Sequence, residues 1–302
     1  MALLRHDAFV YDSDTDFVDR MAPFLRAGLD DGESAVAVTT PANCALLREA
    51  LGPAGERVSF VDRDRWYDRP AKVIAGYDKT LRDSLRAGAP AVRVVGEVQF
   101  GATPREWAEW TAYEAIINRA FAIRPAWIVC PYDARVLPDK ILEGATRTHP
   151  HVLTDAWHES SHYGEPADVV RALTPPPEPL EELRPVGVGE DAQAFRPRLS
   201  REMTAAGCSH VEIELMLLAA GEVLTNALEH STGTPRLRVG CVGDRFVCEI
   251  SDDGPGLDDP LAGYLPPSAD GRGGAGLWVA RQLTSRLELI PRTDGLTVRL
   301  WS

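Results

Sequence analysis

Glu222-Val-Leu-Thr-Asn-Ala-Leu-Glu-His230 is the stretch on which the reading of this chain turns. It closes a helical pattern that begins at Ser209, where Ser209 and Glu212 form a Ser-x-x-Glu capping box ahead of the apolar run. At roughly 100° per residue, Ile213, Leu217, Ala220, Leu224, Ala227 and Leu228 gather on one stripe. Glu222, Asn226 and His230 gather on the opposite side at spacing i, i+4, i+8. One helix therefore packs a core with one face and presents a carboxylate, an amide and an imidazole on the other. Taken alone, this nonapeptide is better read as an amphipathic helix with a solvated outer face.

The residues downstream change that balance. A strand-like run, Phe246–Ile250, leads into Asp252-Asp253-Gly254-Pro255-Gly256. A loop of about 15 residues comes next, long enough to be read as functional, and Gly271-Arg272-Gly273-Gly274-Ala275-Gly276-Leu277 then opens another helix. Glu-x-x-x-Asn, then Asp-x-Gly-x-Gly, then a glycine-rich helix start resembles the Bergerat ATP-binding fold of gyrase-type ATPases, heat-shock chaperones, histidine kinases and MutL. The resemblance implies ATP and Mg²⁺ as cofactors. It makes Asn226 the magnesium ligand, an amide oxygen being a hard donor suited to Mg²⁺ shared with phosphates. It makes Glu222 the general base or hydroxyl-orienting carboxylate, and Asp252 the acceptor for the adenine amino group. Gly254 and Gly256 would let the backbone approach the base. Gly273, Gly274 and Gly276 would lead into a helix whose free N–H groups cradle phosphates. His230 and Leu277 complete the nucleotide-binding set, and Leu257–Arg272 would form a lid.

Upstream, residues 1–172 alternate strand and helix signals: five apolar runs (Ala8–Tyr11, Ser34–Thr39, Arg57–Val61, Ala91–Val95, Ala126–Cys130) separated by helical patterns. Such alternation predicts an α/β domain with a mostly parallel sheet. Pro23 predicts a kink or break in the helix over Ser13–Leu29. This half resembles the MEDS sensory domain, which is similar to the RecA/KaiC-like fold. The resemblance rests on His6-Asp7-Ala8-Phe9-Val10-Tyr11, Cys130-Pro131-Tyr132-Asp133 and Arg147-Thr148-His149-Pro150, and it implies a small-molecule ligand for this half. Gly96–Thr103 has P-loop glycine spacing, but Ala102 stands where the phosphate-binding lysine belongs, so a nucleotide site is not expected there. Trp107, Trp110 and Tyr113 recur along one helix and are better read as core than as a ligand wall. His149, His151, His158 and His162 cluster near the end of this half, with His158 and His162 at metal-ligand spacing, in a segment that otherwise looks like loop.

Residues 173–185, with Pro175, Pro176, Pro177 and Pro179, read as a semi-rigid linker. Residues 186–302 then form an α+β sandwich: a helix near Asp191–Ala206, the Ser209–His230 helix, hairpins through Gly243-Asp244 and Asp294-Gly295, and the helix after the glycines.

A net charge of −13 excludes nucleic acid or an anionic membrane as the main partner. No 18-residue apolar run and no signal-peptide core are present, so no membrane span is expected. The five cysteines form no Cys-x-x-Cys pair, and a reduced, cytoplasmic compartment is the simple reading.

Within the Bergerat group, residues 186–302 hold only a nucleotide-binding core, with no transducer domain and no phosphoacceptor-histidine hairpin upstream. Glu222–His230 and Gly276-Leu-Trp-Val-Ala-Arg-Gln-Leu283 resemble the anti-sigma-factor serine kinases. The pairing with a MEDS half resembles RsbA-type anti-sigma regulatory proteins. Two departures stand out: Ser231 where the family usually has glycine, and an extra residue in the glycine loop. The resemblance implies a serine/threonine protein kinase acting by partner switching. A sigma factor or a STAS-domain anti-sigma antagonist would be its partner, and it leaves room for a homodimer. The competing class is a non-catalytic nucleotide-binding module that only sequesters such a partner.

Overall fold

The computed structural model describes residues 4–154, 156–188, 194–231, 233–265, 267 and 274–302. Its contacts divide the chain into two compact units, Met1–Thr174 and Pro175–Ser302.

In the first unit the elements run β1 Arg5–Tyr11, α1 Asp14–Asp30, β2 Ser34–Thr39, α2 Pro41–Leu51, β3 Val58–Asp62, α3 Arg63–Trp66 and α4 Pro70–Arg86. They continue with β4 Val92–Gly96, α5 Pro104–Ala120, β5 Ala126–Asp133, α6 Asp139–Thr148, β6 His151–Leu153, β7 Trp157–Glu159 and α7 Pro166–Leu173. The strands form one sheet in the order β3-β2-β4-β5-β1-β6-β7. All neighbours pair in parallel except β6 and β7. Near-continuous burial of β1, β2, β4 and β5 is what a sheet covered on both faces requires. Ser13 and Thr40 cap α1 and α2 by accepting from Asp16 N–H and Asn43 N–H. Trp110 and Tyr113 are core residues, as expected, meeting Tyr67 edge-on.

Two expectations for this unit need correction. Of the kink or break expected at Pro23, the break does not occur: α1 is one helix, and Phe17, Met21, Phe24 and Leu25, buried on either side, offset one lost backbone hydrogen bond. The segment after His149, read as loop, adds β6 and β7 to the sheet. Strands of three residues carry too little alternation to be seen in sequence.

The second unit contains β8 Arg184–Val186, α8 Arg196–Ala205, α9 His210–His230, β9 Arg236–Val242, β10 Arg245–Ser251, α10 Ala275–Leu283, β11 Arg286–Arg292 and β12 Gly295–Trp301. The expected start of the first helix, Asp191–Gln193, lies outside the described residues. The five strands make an antiparallel sheet in the order β11-β12-β10-β9-β8. Period-two alternation sorts its side chains. Leu237, Val239, Phe246, Cys248, Ile250, Val298 and Leu300 pack with the buried faces of α8 and α9 into one core. Both edge strands carry a proline, Pro185 in β8 and Pro291 in β11.

The outer face of this sheet holds a row of alternating charge across four strands. Glu249 lies opposite Arg238 and Arg299, and Arg299 lies opposite Glu288. Arg238 Nη1 reaches Glu249 Oε1 at 3.1 Å, and Arg299 Nη2 reaches Glu249 Oε2 at 2.9 Å. Arg299 Nη1 reaches Glu288 Oε2 at 3.2 Å. The same two guanidiniums also hold part of the segment expected as a semi-rigid linker. Arg299 Nη1 donates to Glu178 O at 3.1 Å, and Arg238 Nη2 donates to Leu180 O and Leu183 O at 3.2 and 3.1 Å. From Glu178 onward the chain is thus strapped to the sheet. Proline content predicts an extended backbone but not the arginines that receive its carbonyls.

Arg299→Met is expected to lower the stability of the second unit by about 2 kcal/mol. It leaves the buried Glu249 with one cation instead of two and Glu178 O without its donor. The urea midpoint of the unit's unfolding, followed by fluorescence of Trp301, checks this.

Candidate functional site

Helix α9 is positioned by its cap and its buried face. Glu212 N–H donates to Ser209 Oγ at 3.3 Å, and Ser209 N–H donates to Glu212 Oε2 at 2.7 Å, closing the capping box. Ile213, Met216, Leu217, Ala219, Ala220, Val223, Leu224 and Ala227 are buried. Leu228, expected on the same stripe, is 43% exposed; the helix core gives out one turn before its end. On the other side Glu222 and His230 are exposed and Asn226 is half-buried.

Glycine at 276 brings α10 against that polar face. A Cβ there would stand 2.9 Å from Asn226 Nδ2 and 3.2 Å from both Asn226 Oδ1 and Glu222 Oε2. The carboxylate and the amide therefore lie directly against the first turn of α10, with no room for a side chain at position 276. Gly274 enters α10 at φ 81°, a left-handed conformation that suits glycine, and Leu277 is partly buried against the core. Gly273 lies outside the described residues, as do Pro266, Gly271 and Arg272 of the expected lid and glycine loop.

A second group forms one turn further along α9. Asp252 follows β10 directly; its N–H donates to Leu296 O at 3.0 Å, and its Oδ1 accepts from Gly254 N–H at 2.9 Å. A Cβ at Gly254 would stand 2.8 Å from His230 O, so this glycine is needed for close passage past the helix end. It is the backbone carbonyl of His230, not its exposed imidazole, that meets this turn. Gly256 takes φ 77°, and Asp253 Oδ1 accepts from Gly233 N–H at 3.0 Å.

Sequence reasoning missed Arg281, which is buried in α10. Its Nε donates to Ala262 O at 2.9 Å, its Nη1 donates to Leu287 O at 3.1 Å, and its guanidinium lies 3.9 Å from the Tyr264 ring centroid. Burial pulls its pKa below the ordinary arginine value. It fastens the near end of the loop expected as a lid. A lone arginine in an otherwise apolar helix face was the available signal.

The first unit offers no phosphate cradle at Gly96–Thr103. Glu97 is buried and accepts from Asn43 Nδ2 at 3.0 Å and Arg63 Nη1 at 2.5 Å. The N–H groups of Ala102 and Thr103 are already taken by Glu106 Oε2 at 3.0 and 2.8 Å. The histidine cluster also disperses. His151 pairs with Asp7, while His158 and His162 are exposed on β7 and the turn after it.

Residues 5–150 match the family model described as MEDS, the methanogen/methylotroph DcmR sensory domain, and residues 189–301 match that of the histidine kinase-like ATPase domain. The chain joins a MEDS domain to a histidine kinase-like ATPase domain. The Glu222–Asn226–Gly276 and Asp252–Gly254 groups both lie in the ATPase domain. No curated protein matches this chain. Among solved structures, the RsbU and RsbW domains of Rv1364c from Mycobacterium tuberculosis align at 22% identity and a TM-score of 0.27, over 36% of this chain and 28% of that one. The histidine kinase domain of the blue-light activated kinase from Erythrobacter litoralis EL346 aligns at 19% identity and a TM-score of 0.25, over 41% of this chain and 69% of that one. No helix among the described residues is long and apolar enough to cross a membrane.

Proposed function

We propose that the ATPase domain binds ATP with Mg²⁺ and passes a phosphoryl group to a serine or threonine of a regulatory partner, under the influence of the MEDS domain. The observation that supports this is the close convergence of Glu222 and Asn226 on the first turn of the glycine-started helix α10. Its donor set fits the ligand: a half-buried amide for a hard cation, the N–H groups of a helix start for phosphate, and a carboxylate one helical turn away. Bound there, ATP supplies the phosphoryl group and Mg²⁺ offsets its charge. Asn226 would hold the cation, Asp252 would accept from the adenine amino group, and Gly254, Gly256, Gly274 and Gly276 would leave room for close backbone approach. Gly273, His230 and Leu277 belong to the same proposed nucleotide set.

The partner we propose is a sigma factor or a STAS-domain antagonist, with serine or threonine as acceptor, in a cytoplasmic switching circuit. The resemblance of Glu222–His230 and Gly276–Leu283 to anti-sigma-factor serine kinases supports that reading. A ligand of the MEDS domain would act by binding two arrangements of the protein unequally.

Asp252→Asn tests the nucleotide site. The carboxylate of Asp252 already accepts from Gly254 N–H, and an amide keeps that bond but loses charge-assisted acceptance from the base. Calorimetry is expected to show ATP affinity falling by roughly tenfold, about 1.4 kcal/mol. Equal affinity would remove adenine recognition from Asp252. Transfer of labelled phosphate from ATP to a STAS serine is the expected activity, and tight partner binding without transfer would mark a sequestering module instead.

A further inference from the structure

We propose that His6, Glu114, Cys130 and His149 bind one divalent transition ion of the zinc type inside the MEDS domain. The four residues come from β1, α5, β5 and the position just after α6, and all four are buried, between 0 and 2% exposed. One ligand atom from each lies within 4.8 Å of all the others. His6 Nε2 is 3.1 Å from Glu114 Oε2 and 3.3 Å from Cys130 Sγ. Cys130 Sγ is 3.5 Å from Glu114 Oε2, and His149 Nε2 is 3.6 Å from the same oxygen. A tetrahedral zinc ion with ordinary bond lengths sets its N, O and S donors about 3.3–3.6 Å apart. The cluster is therefore close to the spacing that such an ion demands.

The surroundings fix which imidazole nitrogens point inward. Asn118 Nδ2 donates to Thr148 O at 2.8 Å and lies near the Glu114 and Ala115 carbonyls, so its Oδ1 is left to accept from His6 Nδ1 at 3.2 Å. His149 Nδ1 donates to Ala145 O at 2.9 Å. Both rings thus carry their proton on Nδ1 and turn a lone pair on Nε2 into the cluster, the second-sphere pattern of metal-binding histidines. His149 Nε2 is buried and has no hydrogen-bond partner. An orphaned lone pair in a dry interior is costly, and a cation is what would satisfy it.

Charge points the same way. A divalent ion would take Cys130 as its thiolate and release the proton to solvent. Two neutral imidazoles, one thiolate and one carboxylate then balance a 2+ ion, leaving the buried centre neutral. With four protein donors and no open position, the site is of the closed kind that clamps elements together.

The test is made on the full-length protein. Elemental analysis is expected to find close to one zinc per chain. After chelation, Co²⁺ is expected to restore one equivalent, with intense tetrahedral visible bands and a near-ultraviolet thiolate charge-transfer band. Cys130→Ser should lose the near-ultraviolet band, and His149→Gln should weaken Co²⁺ binding by roughly 100-fold or more. His158→Gln, at an exposed histidine, should change neither. Substoichiometric zinc together with a cobalt spectrum of octahedral type overturns the proposal, and so does a thiolate band that survives in Cys130→Ser. The wild-type stoichiometry and spectrum decide the matter even if a variant fails to fold.

Discussion

Glu222→Gln is expected to leave ATP affinity within about threefold and to reduce phosphoryl transfer by roughly 10²–10⁴-fold, the usual contribution of a positioned general base. The side chain is exposed on α9, so its loss removes no packing. Its carboxylate lies against the first turn of α10 at Gly276, one turn before Asn226. Glutamine preserves size and hydrogen bonding there but cannot take a proton from an attacking hydroxyl. The two quantities separate by experiment: calorimetry reads binding, and single-turnover transfer of labelled phosphate reads chemistry. Transfer at the wild-type rate would show that Glu222 is not the base, and loss of ATP binding would assign it to the shape of the pocket.

Gly295→Val is expected to be the most damaging substitution in the ATPase domain, costing about 4 kcal/mol of stability. Gly295 takes φ 140°, where a β-branched residue is strained, and a Cβ there would overlap Asp252 O and stand 2.8 Å from Asp252 C. The backbone of β12 would have to move away from the end of β10, taking with it the bond from Asp252 N–H to Leu296 O. ATP affinity should fall with stability, because Asp252 is displaced. Gly243→Ala is the matched control. Gly243 also has a positive φ, 61°, but nothing lies within 4 Å of the added carbon, so the cost should stay near roughly 1 kcal/mol. Urea unfolding of the two variants against wild type gives the comparison.

Helix α9 was legible because its cap and its 3.6-residue period agree with the packing that closes over it. The hairpins at Gly243-Asp244 and Asp294-Gly295 were legible because their turn chemistry is local. Partners brought together by topology were not. Sequence separates His6 from Glu114 and Cys130 by more than a hundred residues; the placement of β1 beside β5 brings His6 to Cys130, and α5 carries Glu114 to the same point. Spacing instead favoured His158 and His162, which sit on a short strand and a turn where i, i+4 has no helical meaning. The strap failed to show for the same reason: its anchors, Arg238 and Arg299, lie far along the chain.

The prolines on the two edge strands of the ATPase sheet have a consequence for how a partner can be recognised. Pro185 and Pro291 each remove a main-chain donor from an otherwise open rim. An extended peptide adding itself as a sixth strand would find a gap in the ladder on either side. Copies of the chain meet the same obstacle to zippering edge to edge at high concentration. Recognition is thereby shifted from backbone pairing, which any sequence can provide, to side-chain surfaces, where a partner has to match in shape and charge.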